Sequence, residues 1–154
     1  MDWELGIPFV APMAAVYLSL NIMLGLAPWI LRERESFMRL VRALTAELLV
    51  AGACFILLPA ELAFETPQVE GVWKPVFLLA DTVNLTHNMF PSLHVAFAVT
   101  GAALLGERRG PLGRFLYWLW AAGIALSTVL TRQHYVLDGV AGAALAGWIL
   151  WKKK

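Results

Sequence analysis

The sequence predicts an all-α fold: a polytopic transmembrane helix bundle of five membrane helices, with the N-terminus outside and the C-terminus cytoplasmic. Three observations carry that expectation. Hydrophobic residues make up 60% of the 154-residue chain and charged residues 15%, where a soluble domain holds about half and about a quarter. The apolar residues gather into long blocks separated by short polar clusters, the pattern of a chain whose solvent is largely lipid. Finally, the basic residues sort to one side when every block is taken as a crossing.

The first block, Ile7 to Leu31, contains no Asp, Glu, Lys or Arg. It exceeds the core of a signal peptide and follows Asp2 and Glu4 instead of basic residues, so it is expected to be retained. Ala43 to Ala60 carries only Glu47, and Phe90 to Gly106 has no full charge but includes His94. Phe115 to Thr131 is uncharged, and Tyr135 to Trp151 contains only Asp138. A crossing takes about 20 apolar residues with a floor of roughly 17, so the last three blocks are expected to borrow a turn from their flanks. Trp3, Trp29, Trp118, Trp148 and Trp151 fall toward block ends, where interfacial anchors sit. Val72 to Ala80 is apolar but too short to cross, and is expected to lie in the interface. Gly139, Gly142, Ala143 and Ala146 form a small-residue face on the last helix, against which another helix of the chain is expected to pack closely. No repeat, low-complexity tract or Gly/Ser linker divides residues 1–154, which read as a single membrane-embedded domain.

Five crossings place Arg32, Arg34, Arg39, Arg42, Arg108, Arg109, Arg114, Lys152, Lys153 and Lys154 on one side, ten of the 12 Lys and Arg. Only Lys74 and Arg132 fall on the other. That asymmetry marks the crowded side as cytoplasmic. A net charge of +1 gives no reason to expect nucleic-acid binding, and a single cysteine, Cys54, excludes an intrachain disulfide.

Ionisable residues inside membrane helices are costly and by default face protein or a water-filled cavity. His94 and Asp138 are expected about one turn inside the outer ends of their helices, with His134 at the mouth of the last. Residues 134 and 138 are four apart, so on a helix they share a face. A carboxylate there can hold one imidazole nitrogen and leave the other free as a nucleophile. In Phe90-Pro91-Ser92-Leu93-His94, Pro91 is expected in the first turn of a helix. The backbone N–H groups of Ser92 to His94, together with the Ser92 hydroxyl, would then form an anion site at the positive end of the helix dipole.

At these residues the sequence resembles the type 2 phosphatidic acid phosphatase superfamily of membrane phosphatases and lipid phosphotransferases. That family's second motif is Pro-Ser-Gly-His, with Pro-Ser-x-His in some branches, and here it reads Pro91-Ser92-Leu93-His94. Its third motif is Ser-Arg, five residues, His, three residues, Asp. Here Ser127-Thr128 is followed by Val129 to Gln133, His134, Tyr135 to Leu137, and Asp138. The wording is closer to the branch containing inositol phosphorylceramide synthases than to soluble acid phosphatases. The resemblance implies that His134 attacks phosphorus to form a phosphohistidine, that Asp138 holds His134, and that His94 protonates the departing alkoxide, with no metal or other cofactor. The implied partners are a lipid phosphate substrate and the surrounding membrane lipids; oligomeric state stays open. A metal site built from His87, His94, His134 and Asp138 is the other chemistry these residue types allow, but the spacing lacks a metal-ligand pattern such as His-x-x-x-His.

The chain departs from the family at its cationic positions. The first motif is Lys, six residues, Arg-Pro; counting back from Pro67, these positions hold Pro59 and Thr66. The third-motif Arg is Thr128. Arg132 is the leading replacement as a substrate-binding cation, with Lys74 and His87 as further candidates and Ser92 as the hydroxyl donor. Two functions therefore stand: a lipid-directed phosphatase or phosphotransferase with its site at the extracytoplasmic face, and a catalytically inactive relative that binds lipid head groups or assists a membrane partner.

Overall fold

Proline, glycine and capping serine decide where the apolar blocks become helix. The computed structural model describes residue 4 and residues 6–57, 67–83 and 90–152, and every regular element among them is helical. In chain order these are α1 (Met13–Gly25), α2 (Ala27–Ile30), α3 (Arg34–Leu57), α4 (Lys74–Val83), α5 (Leu93–Gly106), α6 (Pro111–Leu130) and α7 (Val136–Lys152). A 3-10 turn at Gly71–Trp73 leads into α4. Gly71 has φ +71°, a conformation that glycine adopts without steric cost.

The first apolar block does not form one uninterrupted helix. Pro12 stands at the N-cap of α1, so the helix starts at Met13 and not near Ile7. Ahead of it the Val10 N–H donates to the Leu130 carbonyl at 2.9 Å, which lays the N-terminal segment over the end of α6. Farther on, Pro28 cannot donate to the carbonyl of Leu24, and the helix divides at Leu26 into α1 and the single turn α2. The third block is also trimmed. Ser92 is the N-cap of α5 and Pro91 precedes it, outside the first turn where the sequence placed it.

Helices α3 and α6 are each long and apolar enough to cross a membrane. At the helical rise they span roughly 36 and 30 Å, against a hydrocarbon core of about 30 Å. Large apolar side chains point outward from both, among them Leu48, Leu49 and Ile56 on α3 and Leu112, Phe115 and Leu119 on α6.

Helix α5 sits at the centre, against α1, α3, α6 and α7. It is apolar around its whole circumference, as a central helix must be, and Val95, Ala98, Ala102 and Leu105 are all buried. Small residues let its neighbours approach it closely. A Cβ on Gly101 would stand 2.9 Å from the Met23 sulfur of α1. One on Gly142 of α7 would collide with the Ser92 carbonyl oxygen. The small face of α7 is thus seated on the first turn of α5. Midway down, the buried Thr100 hydroxyl donates to the buried Glu47 carboxylate, tying α5 to α3.

The Lys74–Val83 helix packs Phe77 and Ala80 against Ala14 and Tyr17 of α1 and leaves Val72, Leu78 and Leu79 exposed. At one end of the bundle Arg108 bonds Glu33 and Ser36, and Arg39 bonds Glu107, so the basic clusters around α2–α3 and α5–α6 meet there. The start of α5, the end of α6 and the start of α7 meet at the other.

Candidate active site

Three chain segments converge at that second end. Ser92 begins α5, its Oγ accepting from the Val95 N–H at 3.5 Å, while its own N–H donates to the Asp138 carbonyl at 3.0 Å. Ser92 is completely buried. Its backbone N–H is therefore engaged in structure, its Oγ accepts a capping bond and still carries a proton to donate, and the N–H groups of Leu93 and His94 lie too early in the helix for an intrahelical acceptor.

Helix α6 ends in a Schellman motif. The Gln133 N–H donates to the Thr128 carbonyl at 2.9 Å and the Arg132 N–H to the Val129 carbonyl at 3.0 Å. Such a motif needs a left-handed residue, and Arg132 takes it at φ 55°, where glycine is usual. The same Thr128 carbonyl accepts from the His134 N–H at 3.1 Å, which fixes the backbone of His134 just outside α6.

Helix α7 begins only at Val136, so His134 and Asp138 do not share a helix face; the carboxylate reaches back across the helix start instead. Asp138 Oδ2 accepts the Tyr135 N–H at 2.9 Å and lies 3.7 Å from His134 Nδ1. Both side chains are buried. Glu4 adds a second cap, its Oε1 accepting the Val136 N–H at 2.8 Å.

His94, half-buried on the first turn of α5, stacks on Tyr17 with ring centroids 4.0 Å apart, and its Nδ1 lies 3.1 Å from the Tyr17 hydroxyl. The imidazoles of His94 and His134 are 6.4 Å apart, centroid to centroid, and inclined at 50°. A nucleophile approaches its target atom to about 3–3.5 Å and a general acid reaches about 2.6–3.2 Å, and the separation of the two rings is of that order.

The remaining sequence candidates divide. Arg132 is half-buried in the turn beside His134. Lys74 is exposed in the first turn of α4, roughly 10 Å along the helix from Asp81, and it is Asp81 that faces the site end, accepting from Gln133 Nε2 at 3.4 Å. Lys74 is not brought to the imidazoles. His87 lies outside the described residues, as do Pro59 and Thr66. Thr128, at the family's arginine position, is buried and its hydroxyl donates to the Ala125 carbonyl at 2.8 Å.

The match to a family model follows this geometry: the model of the PAP2 superfamily covers residues 6–151. The chain belongs to the PAP2 superfamily. No curated protein and no solved structure is detectably similar to it. PAP2 membership carries phosphatase or phosphotransferase chemistry on phosphorylated substrates, often lipids.

Sequence reasoning passed over two groups at this PAP2 site. Tyr17 lay inside an uncharged apolar block, where the one available signal was a hydroxyl that needs a partner when buried. Glu4 read only as an acidic flank, and nothing in its spacing pointed to the start of α7.

Proposed function

We propose that this PAP2 protein is an integral membrane lipid phosphatase or phosphotransferase that works through a phosphohistidine on His134. The single observation behind the reading is the facing pair of imidazoles 6.4 Å apart, with a buried carboxylate behind one of them. His134 Nδ1 is turned toward Asp138, which leaves Nε2 to attack phosphorus. As the N–P bond forms and the ester P–O bond breaks, His94, protonated beside the bound phosphate anion, gives its Nε2 proton to the leaving alkoxide while its Nδ1 stays in contact with the Tyr17 hydroxyl. In the second half-reaction His94 takes the proton of an incoming water or alcohol, whose oxygen attacks phosphorus and releases His134. Water gives a phosphatase and an alcohol gives a transferase; the Pro91-Ser92-Leu93-His94 wording supports a transferase branch. The 3.7 Å gap to Asp138 closes as His134 gains positive character, in the way unliganded catalytic contacts tighten. Developing charge on the phosphoryl oxygens meets the free N–H groups at the start of α5 and, in this reading, the Arg132 guanidinium.

The five-span topology belongs to the same proposal. Sorting of Lys and Arg puts the Glu33–Arg108 end in the cytoplasm and hence the imidazoles on the extracytoplasmic side, with residues 1–154 acting as one domain. A second reading, an inactive relative that binds lipid head groups or assists a membrane partner, draws on Thr128: its hydroxyl is committed to Ala125 and supplies no cation. The two are separated by His134→Gln in purified protein. Loss of phosphate release or transfer from lipid phosphates by more than about 10³-fold is expected of a nucleophile; unchanged turnover defeats the assignment of His134, and a wild-type protein that turns over no lipid phosphate defeats the enzyme reading.

A further inference from the structure

A groove of about 390 Å³ runs down the bundle between α6 and α7 with α5 as its floor. Small side chains open it: Ala121, Ala122 and Ala125 on α6 and Gly139 and Ala143 on α7. Among the described residues, no charged or hydroxyl-bearing side chain lines it. Its upper rim is Val129 and Val136, the residues that flank the turn carrying Arg132 and His134. Trp118 is the lining residue of α6 farthest from that rim. From Val129 to Trp118 the helical rise gives roughly 16 Å, close to half of the roughly 30 Å hydrocarbon core.

We propose that this groove seats one acyl chain of the substrate, which makes the substrate a long-chain lipid phosphate whose chain is measured against Trp118. The proposal rests on the catalytic reading of His94 and His134. The lining suits hydrocarbon and offers nothing to a head group. The length is that of one leaflet, so a lipid whose chain fills the groove has its phosphate at the depth of the His134 turn and not in mid-membrane. Helices α6 and α7 close onto α5 but scarcely onto each other, so a chain enters sideways from the bilayer without unfolding the turn above.

Wild-type protein, Ala122→Phe/Ala125→Phe and Trp118→Ala are compared on dioctanoyl and dipalmitoyl phosphatidic acid in mixed micelles. Filling the groove is expected to raise KM for the dipalmitoyl substrate about tenfold at unchanged kcat, a pocket effect of ordinary size, and to leave the dioctanoyl substrate alone. Trp118→Ala is expected to move the preference toward longer chains. Equal effects on both chain lengths, or none, would overturn the proposal. A wild-type protein that turns over neither substrate defeats the catalytic reading, and the groove is then read separately with a phosphatidic acid bearing a diazirine at the end of one palmitoyl chain. Labelling of the α6 peptide from Trp118 to Val129, displaced by dipalmitoyl phosphatidic acid but not by phosphatidylcholine, supports the seat. Displacement by both alike means an annular lipid only, and overturns it.

Discussion

The two ends of the bundle are held by different physics. At the basic end, long exposed side chains pair: Arg108 with Glu33 and Arg39 with Glu107 between distant segments, and Arg42 with Glu35 within α3. At the imidazole end the polar groups are short and buried, and backbone N–H groups carry the wiring, from Ser92 to the Asp138 carbonyl and from Tyr135 to the Asp138 carboxylate. Exposed pairs hold their partners loosely and are screened by salt. Buried backbone bonds fix a position to within a fraction of an ångström. On the proposed mechanism one end tolerates change, and the other, where two rings address one phosphorus, does not.

Glycine substitutions probe that contrast most sharply. Gly142→Ala puts a methyl group into the Ser92 carbonyl and must push α7 off α5. Overpacking of this kind costs about 1–3 kcal/mol, and a displacement near 1 Å at the site lowers turnover about 10²-fold. Gly52→Ala on α3, where a Cβ meets nothing within 4 Å, is the matched control and should leave both unchanged or gain slightly from helix propensity. Thermal unfolding in detergent and initial rates check the pair. Equal effects at Gly142 and Gly52 would remove the distinction.

Arg132 separates stability from function at one residue. Its left-handed backbone costs about 1–2 kcal/mol for any residue with a Cβ, so Arg132→Gly should raise the unfolding temperature while lowering turnover about tenfold or more through loss of the cation. A variant that is stabilised and fully active would assign Arg132 to the turn alone.

The smallest effect belongs to the basic end. Hydrogen bonds from Arg108 hold the Glu33 carboxyl below its usual 4.5, so on acidification the unfolded chain takes up that proton first. The contribution of the pair is complete above pH 4.5 and fades as the pH falls through the lower folded-state value. Glu33→Gln should therefore leave neutral-pH stability and turnover nearly unchanged and flatten the acid limb slightly. A large loss at neutral pH would show the basic end to be as exacting as the other.

Much of this was legible in the sequence, for reasons that differ by residue. His94 and Asp138 stood out because ionisable groups are rare in apolar blocks, and the small face of α7 was visible as spaced Gly and Ala. Pro28 announces the break at Leu26, and Pro91, expected in the first turn of α5, stands ahead of its N-cap Ser92 instead. The stacking of Tyr17 on His94 joins residues 77 positions apart, and the capping of α7 by Glu4 joins residues 132 apart; neither leaves a local pattern. Helix periodicity put His134 and Asp138 on one face, whereas the Schellman turn at Arg132 holds His134 ahead of the helix and lets Asp138 reach back.

The most direct test of the central claim is rapid acid-free quenching of the protein with radiolabelled lipid phosphate, followed by peptide mapping. A phosphoryl group that is acid-labile, alkali-stable and confined to the peptide containing His134, and absent from His134→Gln, is the predicted result. Full turnover with no labelled protein, or label on any other residue, would contradict it.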